Sequence, residues 1–182
     1  MANPPLGRIP VEAIKRSSLP RLDAALLARF RALKDPSGSV SDALDELGLL
    51  GAVPASVLRP TDAGAQIVGP ALTVRNVLRS DPVAAAVAGK SNRLGEIEAH
   101  NLAEPGDVVV IQSEGMISNM GGLSASIGKR QGEIGAVVDG AVRDVPRSRG
   151  LGYPIWSRSI SPITGKWRIE TVAVNGPVTI AG

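Results

Sequence analysis

The segment Gly121–Asp144, GGLSASIGKRQGEIGAVVDGAVRD, combines a glycine-led helix start, a short apolar strand and an adjacent pair of opposite charges. Its two glycines precede a predicted helix at about Leu123–Arg130. The unpaired N–H groups at a helix start favour an anion, and so does the helix dipole. The run Ile134–Val138, IGAVV, is typical of a strand buried in a parallel or mixed sheet. The segment therefore predicts a helix and a buried strand, with a candidate anion site where the helix begins.

Arg143 and Asp144 close this segment, after a predicted turn at Asp139-Gly140. A guanidinium can hold a carboxylate through two parallel hydrogen bonds, and a neighbouring carboxylate can hold a hard divalent cation directly or through water. An arbitrary Arg–Asp pair is more often a surface ion pair. The alternative is that the helix start, the strand and this pair converge on one small, anionic, metal-chelated ligand.

Composition limits the classes of protein to consider. A chain of 182 residues is long enough for one domain with a substantial core. Since 43% of the residues are hydrophobic and 2% are aromatic, aliphatic side chains must fill that core. The sequence has no cysteine, which excludes disulfides, thiolate metal sites and a cysteine nucleophile. No apolar run approaches the roughly 20 residues of a membrane helix, so we expect no membrane partner.

The positive charge is concentrated at the N-terminus. Residues 1–34 carry seven Lys or Arg against two acids, whereas residues 35–182 carry thirteen against fifteen. The net charge of +3 therefore does not describe the body of the chain, which is slightly acidic. This distribution argues against nucleic acid as a partner, and because the first residues lack an apolar signal core, we expect a cytoplasmic protein.

Periodicity and turn residues predict alternating helices and strands, hence the α/β class. Residues 1–18 are predicted to be a loosely attached arm. The predicted helices are Pro20–Lys34, a helix capped by Ser39 or Ser41 and ending at Leu47, Asp81–Gly89, Arg93–Ala103, Leu123–Arg130, and a helix or turn at Val145–Leu151. The predicted strands are Ala65–Val77, Val108–Gln112, Ile134–Val138, Pro154–Ser159, Ile169–Val174 and Val178–Ile180. The stretch Gly115–Gly122 is predicted to be a loop.

The spacing from Gly122 across twenty residues to Arg143-Asp144 resembles the RraA-like family. That family includes class II 4-hydroxy-4-methyl-2-oxoglutarate/4-carboxy-4-hydroxy-2-oxoadipate aldolases and regulators of ribonuclease E activity. The resemblance covers roughly residues 38–180 in order. It is supported by Ser41–Leu47 (SDALDEL), Gln66–Val74 (QIVGPALTV), Glu104–Ile111 (EPGDVVVI) and Gly152–Ser161 (GYPIWSRSIS).

The resemblance implies a swivelling β/β/α layered domain that assembles into homotrimers or homohexamers. It divides the chain into a basic arm and helix at 1–36 and an RraA-like aldolase domain at 37–182. The implied reaction is metal-dependent retro-aldol cleavage of a 4-hydroxy-2-oxo di- or tricarboxylic acid to pyruvate and a second oxo-acid. Oxaloacetate decarboxylation is the implied side activity, and Mg²⁺ or Mn²⁺ is the implied cofactor. The family's other branch implies an alternative: a non-catalytic regulator that binds a ribonuclease or helicase complex.

The resemblance also assigns roles to residues of the segment. Arg143 would bind the carboxylate and keto oxygen of the substrate, and Asp144 would anchor the metal through water. The amides of Gly121, Gly122 and Leu123 would hold the pyruvyl carboxylate. The ribonuclease-regulator branch can lack the acid at Asp144, so its presence favours the enzyme.

Three features depart from the family's pattern. Some members carry an acid in place of Gly122, and many aldolases carry one where this chain has Arg147. The family also continues beyond the equivalent of NGPVTIAG into further strands. We therefore expect a domain shortened at Gly182, without an acid supplied from that region by an adjacent subunit.

Other polar residues have simpler explanations. Lys129 could form a Schiff base as in amine aldolases, but a helical lysine followed by Arg130 is more often solvated. Asp139 could be a turn residue or could support a metal ligand. Asn119 could add a side-chain contact. His100 is expected to be an exposed or partly buried partner of Glu96. We find neither a phosphate loop nor a glycine-rich motif for a methyltransferase.

Overall fold

The computed structural model describes residues 3–16 and 18–182. The described residues form seven strands: β1 (Arg59–Pro60), β2 (Ala71–Leu78), β3 (Val108–Gln112), β4 (Ser118–Met120), β5 (Gly135–Val142), β6 (Ile155–Ile160) and β7 (Ile169–Val174). They also form six α-helices: α1 (Ala24–Arg31), α2 (Pro36–Glu46), α3 (Val83–Ala88), α4 (Glu96–Leu102), α5 (Gly122–Gln131) and α6 (Val145–Gly150). Short 3₁₀ turns lie at Val11–Ala13 and Gly165–Trp167. Within these ranges, none of the helices combines the length and apolarity that a membrane crossing requires.

All seven strands belong to one sheet, in the order β1-β6-β5-β3-β2-β7, with β4 paired to the far end of β5. The central pairs β2–β3, β3–β5 and β5–β6 are parallel, and so is β4–β5. The edge pairs β1–β6 and β2–β7 are antiparallel. The predicted α/β class is confirmed, because parallel neighbours in this sheet are connected through helices.

The two faces of the sheet are packed differently. One face packs against α4 and α5 and forms the core, in which Leu72, Val109, Val138 and Ile155 are completely shielded from solvent. The alternate side chains of the same strands point to the other face, as the two-residue period of a strand requires. There Val108, Val110, Val137 and Trp156 line an apolar groove of about 800 Å³ together with residues of α1 and α2. Neither α1 nor α2 has a buried residue.

The N-terminal residues are attached to the body of the domain, contrary to the predicted loose arm. The amides of Leu6 and Arg8 donate to the buried carboxylate of Glu98 in α4, at 2.7 and 2.9 Å. Ile9 and Ala13 are buried. A buried carboxylate on α4 therefore binds this segment through backbone hydrogen bonds, which sequence periodicity cannot reveal. Met1, Ala2 and Ser17, which belong to the predicted arm, lie outside the described residues.

Several predicted element boundaries are wrong; the strand predicted at Ala65–Val77, for example, is Ala71–Leu78. The predicted loop Gly115–Gly122 contains β4, and the predicted turn Asp139-Gly140 lies inside β5, where the pairing with β6 shifts register. The helix expected to begin at Ser39 or Ser41 begins at Pro36, because proline fits the first helical position. The last predicted strand, Val178–Ile180, is irregular.

Two leucines of β2 that differ in burial give a matched pair of substitutions. Leu72 is fully buried and Leu78, on the same strand, is 50% exposed. We expect Leu72→Ala to lower the free energy of unfolding by about 2–5 kcal/mol, because it leaves a cavity in the core. Leu78→Ala should change it by about 0.5 kcal/mol or less. Urea unfolding of the two variants measures this difference, and similar losses would contradict the burial of Leu72 in the core.

Candidate functional site

The N-terminus of α5 is capped by a side chain from a distant part of the chain. Gly121 is the residue before the helix and has no side chain to offer, and Gly122 is the first helical residue. Asp144 caps the helix instead, because its Oδ2 accepts a hydrogen bond from the Gly122 amide at 2.9 Å. The contact satisfies one of the free amides at the helix start and places a negative charge at the positive end of the helix dipole.

The pairing of β4 with β5 brings Arg143 and Asp144 to this helix start. Arg143 directly follows β5, and Met120 directly precedes the two glycines. The Arg143 amide donates to the carbonyl of Met120 at 3.0 Å. Arg143 Nε lies 3.7 Å from Asp144 Oδ2, and the two side chains are 44% and 51% exposed. Asp144 adopts a left-handed backbone conformation, with φ 56° and ψ 33°, at the entry to α6. This conformation is uncommon for a residue with a side chain but more frequent for Asp.

Side chains of other residues lie so close to Gly121 and Gly122 that an added Cβ would meet them. The backbone angles of the two residues do not themselves call for glycine. A Cβ added at Gly121 would lie 2.8 Å from Asp144 Oδ2 and 3.1 Å from Arg143 Nε. A Cβ added at Gly122 would overlap the side chain of Arg147 and lie 3.3 Å from Asp144 Cβ. The structure thus brings together four of the five predicted site residues: Gly121, Gly122, Arg143 and Asp144.

Leu123, the fifth predicted residue, contributes through its backbone. Its side chain is 68% exposed. Its amide and that of Ser124 occupy positions without an intrahelical acceptor, and within the described residues neither donates a hydrogen bond. Since the Gly122 amide is already bound to Asp144, the amides of Leu123 and Ser124 are the donors at this helix start that no described residue engages.

Arg147 adds a second guanidinium beside the same turn of helix. Its Nε donates to Ser126 Oγ at 3.1 Å, and Ser126 Oγ in turn donates to the carbonyl of Gly122 at 2.6 Å. The side chain therefore lies along the first turn of α5. Two arginines and one aspartate give the site an excess of positive charge.

A divalent cation fits this site only through a single carboxylate. In residues 3–16 and 18–182, no three His, Asp or Glu side chains are grouped so as to hold a metal ion. Asp144 Oδ1 has no hydrogen bond to any described residue, and the side chain faces solvent. Mg²⁺ in proteins often keeps several waters and binds one or two carboxylates together with its substrate. Asp144 meets that minimal requirement when the substrate and water supply the remaining oxygens.

Glu96 is a residue of this region that sequence reasoning missed. Its Oε2 is shielded from solvent and has no hydrogen-bond partner among the described residues. Burial raises the pKa of this carboxyl group, against the opposing effects of its own backbone hydrogen bond and of the charges of His100, Arg8 and Arg143. The sequence signal was the pair Glu96 and His100 at helical spacing, which we interpreted as a partner contact.

A chain of buried hydrogen bonds connects the start of α4 with the strand before α5. The Gly95 amide donates to Thr171 Oγ1 at 2.8 Å, and Thr171 Oγ1 donates to Asn76 Oδ1 at 2.7 Å. Asn76 Nδ2 donates to Asn119 Oδ1 at 2.9 Å. Asn119 therefore orients the strand before the glycines, and it is buried rather than presented to a ligand.

His100 is completely buried and does not pair with Glu96, contrary to the prediction. Its Nδ1 lies 2.8 Å from Glu133 Oε1, and its Nε2 lies 2.6 Å from Ser124 Oγ. Tyr153 donates to the other oxygen of Glu133 at 2.5 Å. Burial raises the pKa of Tyr153 well above its ordinary value, and the charge and hydrogen bond of Glu133 add to the effect. The group has the order of a Ser–His–Glu triad, but its members are shielded from solvent, so it fastens α4 to α5.

The two remaining candidates lie outside the helix start. Lys129 is exposed, and its Nζ donates to the carbonyl of Gly152 at 3.2 Å, as expected for a solvated lysine. Asp139 is not a turn residue: it is buried in β5, where one oxygen pairs with Arg158 Nε. Its other oxygen accepts from the Ala181 amide at 2.8 Å, so both oxygens are already engaged.

Comparison with known proteins identifies the family. A family model for the RraA-like group, described as Aldolase/RraA, matches residues 37–182. The chain belongs to the RraA-like family. The crystal structure of Streptomyces coelicolor RraAS2, described as an unusual member of the RNase ES inhibitor RraA protein family, aligns with a TM-score of 0.70 at 27% identity. The alignment covers 88% of this RraA-like chain and 76% of that one, and it confirms the layered α/β architecture of the RraA type.

Two further relatives have sequences longer than the matched region. The chain is 33% identical over 158 residues to a protein of Halalkalibacterium halodurans named "Putative 4-hydroxy-4-methyl-2-oxoglutarate aldolase". It is 31% identical over 148 residues to Protein DlpA of Legionella pneumophila. These alignments cover 86% and 80% of this RraA-like chain. They span 66% of the first relative and 23% of the second.

The close approach at Gly121 gives a test of the capping contact. We expect Gly121→Ala to push Asp144 away from the Gly122 amide and to lower the free energy of unfolding by about 0.5–2 kcal/mol, the usual cost of a lost helix cap. Gly38→Ala in α2 is the control, because its added Cβ meets nothing within 4 Å. That variant should be more stable by about 0.5–1 kcal/mol. Urea unfolding compares the two, and a Gly121→Ala protein as stable as the original would contradict the contact.

Burial of Glu96 makes stability depend on pH in a defined direction. Because its pKa is raised in the folded state, ionisation of Glu96 opposes folding as pH rises from the ordinary glutamate pKa through the raised value. We expect Glu96→Gln to be more stable than the original protein at about pH 8, with the advantage disappearing near about pH 4. Denaturant unfolding at both pH values measures it. A pH-independent difference would contradict the buried, unpaired carboxyl.

Proposed function

We propose that this RraA-like chain is a class II, divalent-metal-dependent pyruvate aldolase. The substrate would be a 4-hydroxy-2-oxo di- or tricarboxylic acid, which is cleaved to pyruvate and a second oxo-acid, with oxaloacetate decarboxylation as a side activity. The observation that carries the proposal is the contact of Asp144 with the Gly122 amide, with Arg143 lying over Gly121. Similarity to the Halalkalibacterium halodurans protein named as an aldolase supports it.

The residues of the helix start can bind both the carboxylate oxygen and the adjacent keto oxygen of a 2-oxo acid. Arg143 can donate two parallel hydrogen bonds, one to the carboxylate and one to the keto oxygen. The Leu123 amide and the positive end of α5 favour the same carboxylate. When C3–C4 cleavage moves negative charge to the keto oxygen, a fixed guanidinium stabilises that charge more than it stabilises the substrate.

Asp144 would hold the cation, directly or through water. Bound Mg²⁺ or Mn²⁺ would act as a Lewis acid toward the keto oxygen and increase the stabilisation of developing charge. Asp144 also holds the Gly122 amide, so it fixes the helix start relative to Arg143. Arg147 would attract the second carboxylate of a di- or tricarboxylic substrate. We include a homotrimer or homohexamer and a cytoplasmic location in the proposal, as the resemblance implies.

A second candidate is a non-catalytic regulator that binds a ribonuclease or helicase complex. The similarity to RraAS2 of the RNase ES inhibitor RraA protein family favours it. A regulator needs no cation and tolerates Asp144→Asn. Measurable affinity for a ribonuclease, with no pyruvate released from any oxo-acid, would favour this candidate over the aldolase.

The direct test is release of pyruvate from oxaloacetate and from 4-hydroxy-4-methyl-2-oxoglutarate. We expect turnover with Mg²⁺ or Mn²⁺ and its loss with a chelator, restored by excess cation. Release that persists after complete chelation would contradict the metal requirement. Absence of release from both substrates would contradict the enzymatic proposal for these acids.

Substitutions at the site separate the roles of its two charged residues. We expect Arg143→Lys to lower kcat/KM by about 100-fold or more, because an ammonium cannot reproduce the two-pronged guanidinium contact. Asp144→Asn should weaken the dependence on cation concentration. Arg130→Lys, at the exposed far end of α5, is the matched control and should keep full activity. Normal turnover by Arg143→Lys would refute its assignment.

A further inference from the structure

Glu96 is a half-buried residue whose carboxyl group the proposed mechanism does not use. Its Oε2 is shielded from solvent and has no partner among the described residues. Its neighbour Glu98, which is completely buried, accepts hydrogen bonds from two backbone amides and thereby fastens the N-terminal segment. Glu98 thus has a structural function, whereas Oε2 of Glu96 lies in the interior without a corresponding contact. Unpaired buried polar atoms are rare and need an explanation.

Two separate contacts bring the start of α4, where Glu96 is the first helical residue, close to the glycine-led start of α5. The hydrogen-bond chain that begins at Gly95, the residue before Glu96, ends at Asn119, two residues before Gly121. On the other side, His100 lies one helical turn after Glu96 and contacts Ser124, two residues after Gly122. The beginnings of α4 and α5 are therefore adjacent in the fold.

The charges around Glu96 link it to the candidate site. Besides burial, three neighbouring groups act on its carboxyl: His100 on α4, Arg8 on the N-terminal segment and Arg143 at the end of β5. Arg143 is the residue proposed to bind the keto acid. Burial nevertheless keeps the pKa of Glu96 above its ordinary value, so this carboxyl can hold a proton at a higher pH than a solvated glutamate can.

We propose that Glu96 is a further catalytic residue of this site, the acid–base group that exchanges a proton with the methyl carbon (C3) of pyruvate. The inference rests on the proposed aldolase function and deepens it. A carboxyl group with a shielded, unpaired oxygen at the start of α4, on which the charge of Arg143 acts, is suited to this transfer, which contributes roughly 10²–10⁴-fold when the group is well placed.

The proton balance of the reaction is complete without another reactant. The 4-hydroxyl proton leaves to water, the C4–O bond becomes a carbonyl, and the electron pair of the C3–C4 bond passes to the enolate of pyruvate. Protonated Glu96 then gives its proton to C3, and the resulting carboxylate recovers one from water. In the reverse sense, the Glu96 carboxylate removes a methyl proton from pyruvate, and the electron pair passes through C2 to the keto oxygen.

The reverse step can be measured without the unidentified natural substrate. The full chain is incubated with pyruvate and Mg²⁺ in D₂O, and loss of the methyl proton signal is followed by NMR. Oxalate, a stable mimic of the enolate, reports binding at the same site by calorimetry. The variants are Glu96→Gln, which keeps the size of the side chain, and Glu98→Gln, a matched change of a buried carboxyl two residues away.

We expect Glu96→Gln to bind oxalate normally and to lose methyl exchange by about 100-fold or more. Glu98→Gln should be less stable and should keep exchange, because its carboxyl fastens the N-terminal segment. In the original protein the exchange rate should rise with pH through one ionisation above the ordinary glutamate range. This measurement does not depend on any variant folding.

The outcomes distinguish this inference from the proposed function. If the original protein binds oxalate and exchanges the methyl protons while Glu96→Gln exchanges equally fast, the role of Glu96 is overturned and the aldolase proposal stands. An exchange rate of the original protein that does not change with pH also overturns it. If the original protein neither binds oxalate nor catalyses exchange, the proposed function fails, and the role of Glu96 fails with it.

Discussion

The arrangement of the site depends on the hydrogen bond from the Gly122 amide to Asp144, which joins the start of α5 to the end of β5 at 2.9 Å. It can form because β5 continues far enough to pair with β4, the strand that leads into the helix. The same pairing places Arg143 over Gly121, where a methyl group would already be too close. One backbone pairing and two glycines therefore position Arg143 and Asp144.

The local parts of this arrangement could be predicted from the sequence, whereas its long-range parts could not. The bounds of Val108–Gln112 and Ile169–Val174 were correct, because β-branched runs between turns define strands locally. The prediction of a turn at Asp139-Gly140 was wrong, because an Asp–Gly pair ordinarily signals a turn but here lies inside a strand. Here Gly140 permits close packing instead: an added Cβ would lie 2.8 Å from Asn119 Nδ2. The glycine, arginine and aspartate of the site were found through family resemblance, which carries the tertiary information that periodicity lacks.

Two polar residues one turn apart on α4 show that the same sequence spacing can lead to different contacts in the folded protein. Glu96 and His100 have the spacing of a surface pair, yet His100 points to Glu133 and Ser124 and both its ring nitrogens have partners. The guanidinium groups of Arg8 and Arg143 act on the carboxyl of Glu96, and its Oε2 has no partner among the described residues. A satisfied buried group stabilises the packing of α4 on α5, whereas an unsatisfied one costs stability. Such a cost is retained more readily where the group does chemistry.

The balance of charge at the helix start constrains the ligand more than any single contact does. Arg143, Arg147 and the positive end of α5 face one carboxylate, that of Asp144, which is already hydrogen-bonded. Arg147 adds positive charge along the first turn of α5. A cation would therefore be weakly held by the protein alone, since its attraction to one carboxylate is opposed by two guanidinium groups. An oxo-acid with two or three carboxylates changes that balance, because it brings the missing negative charge and its own keto and carboxylate oxygens. The substrate and the cation are then expected to bind cooperatively, with each supplying the charge that the other needs.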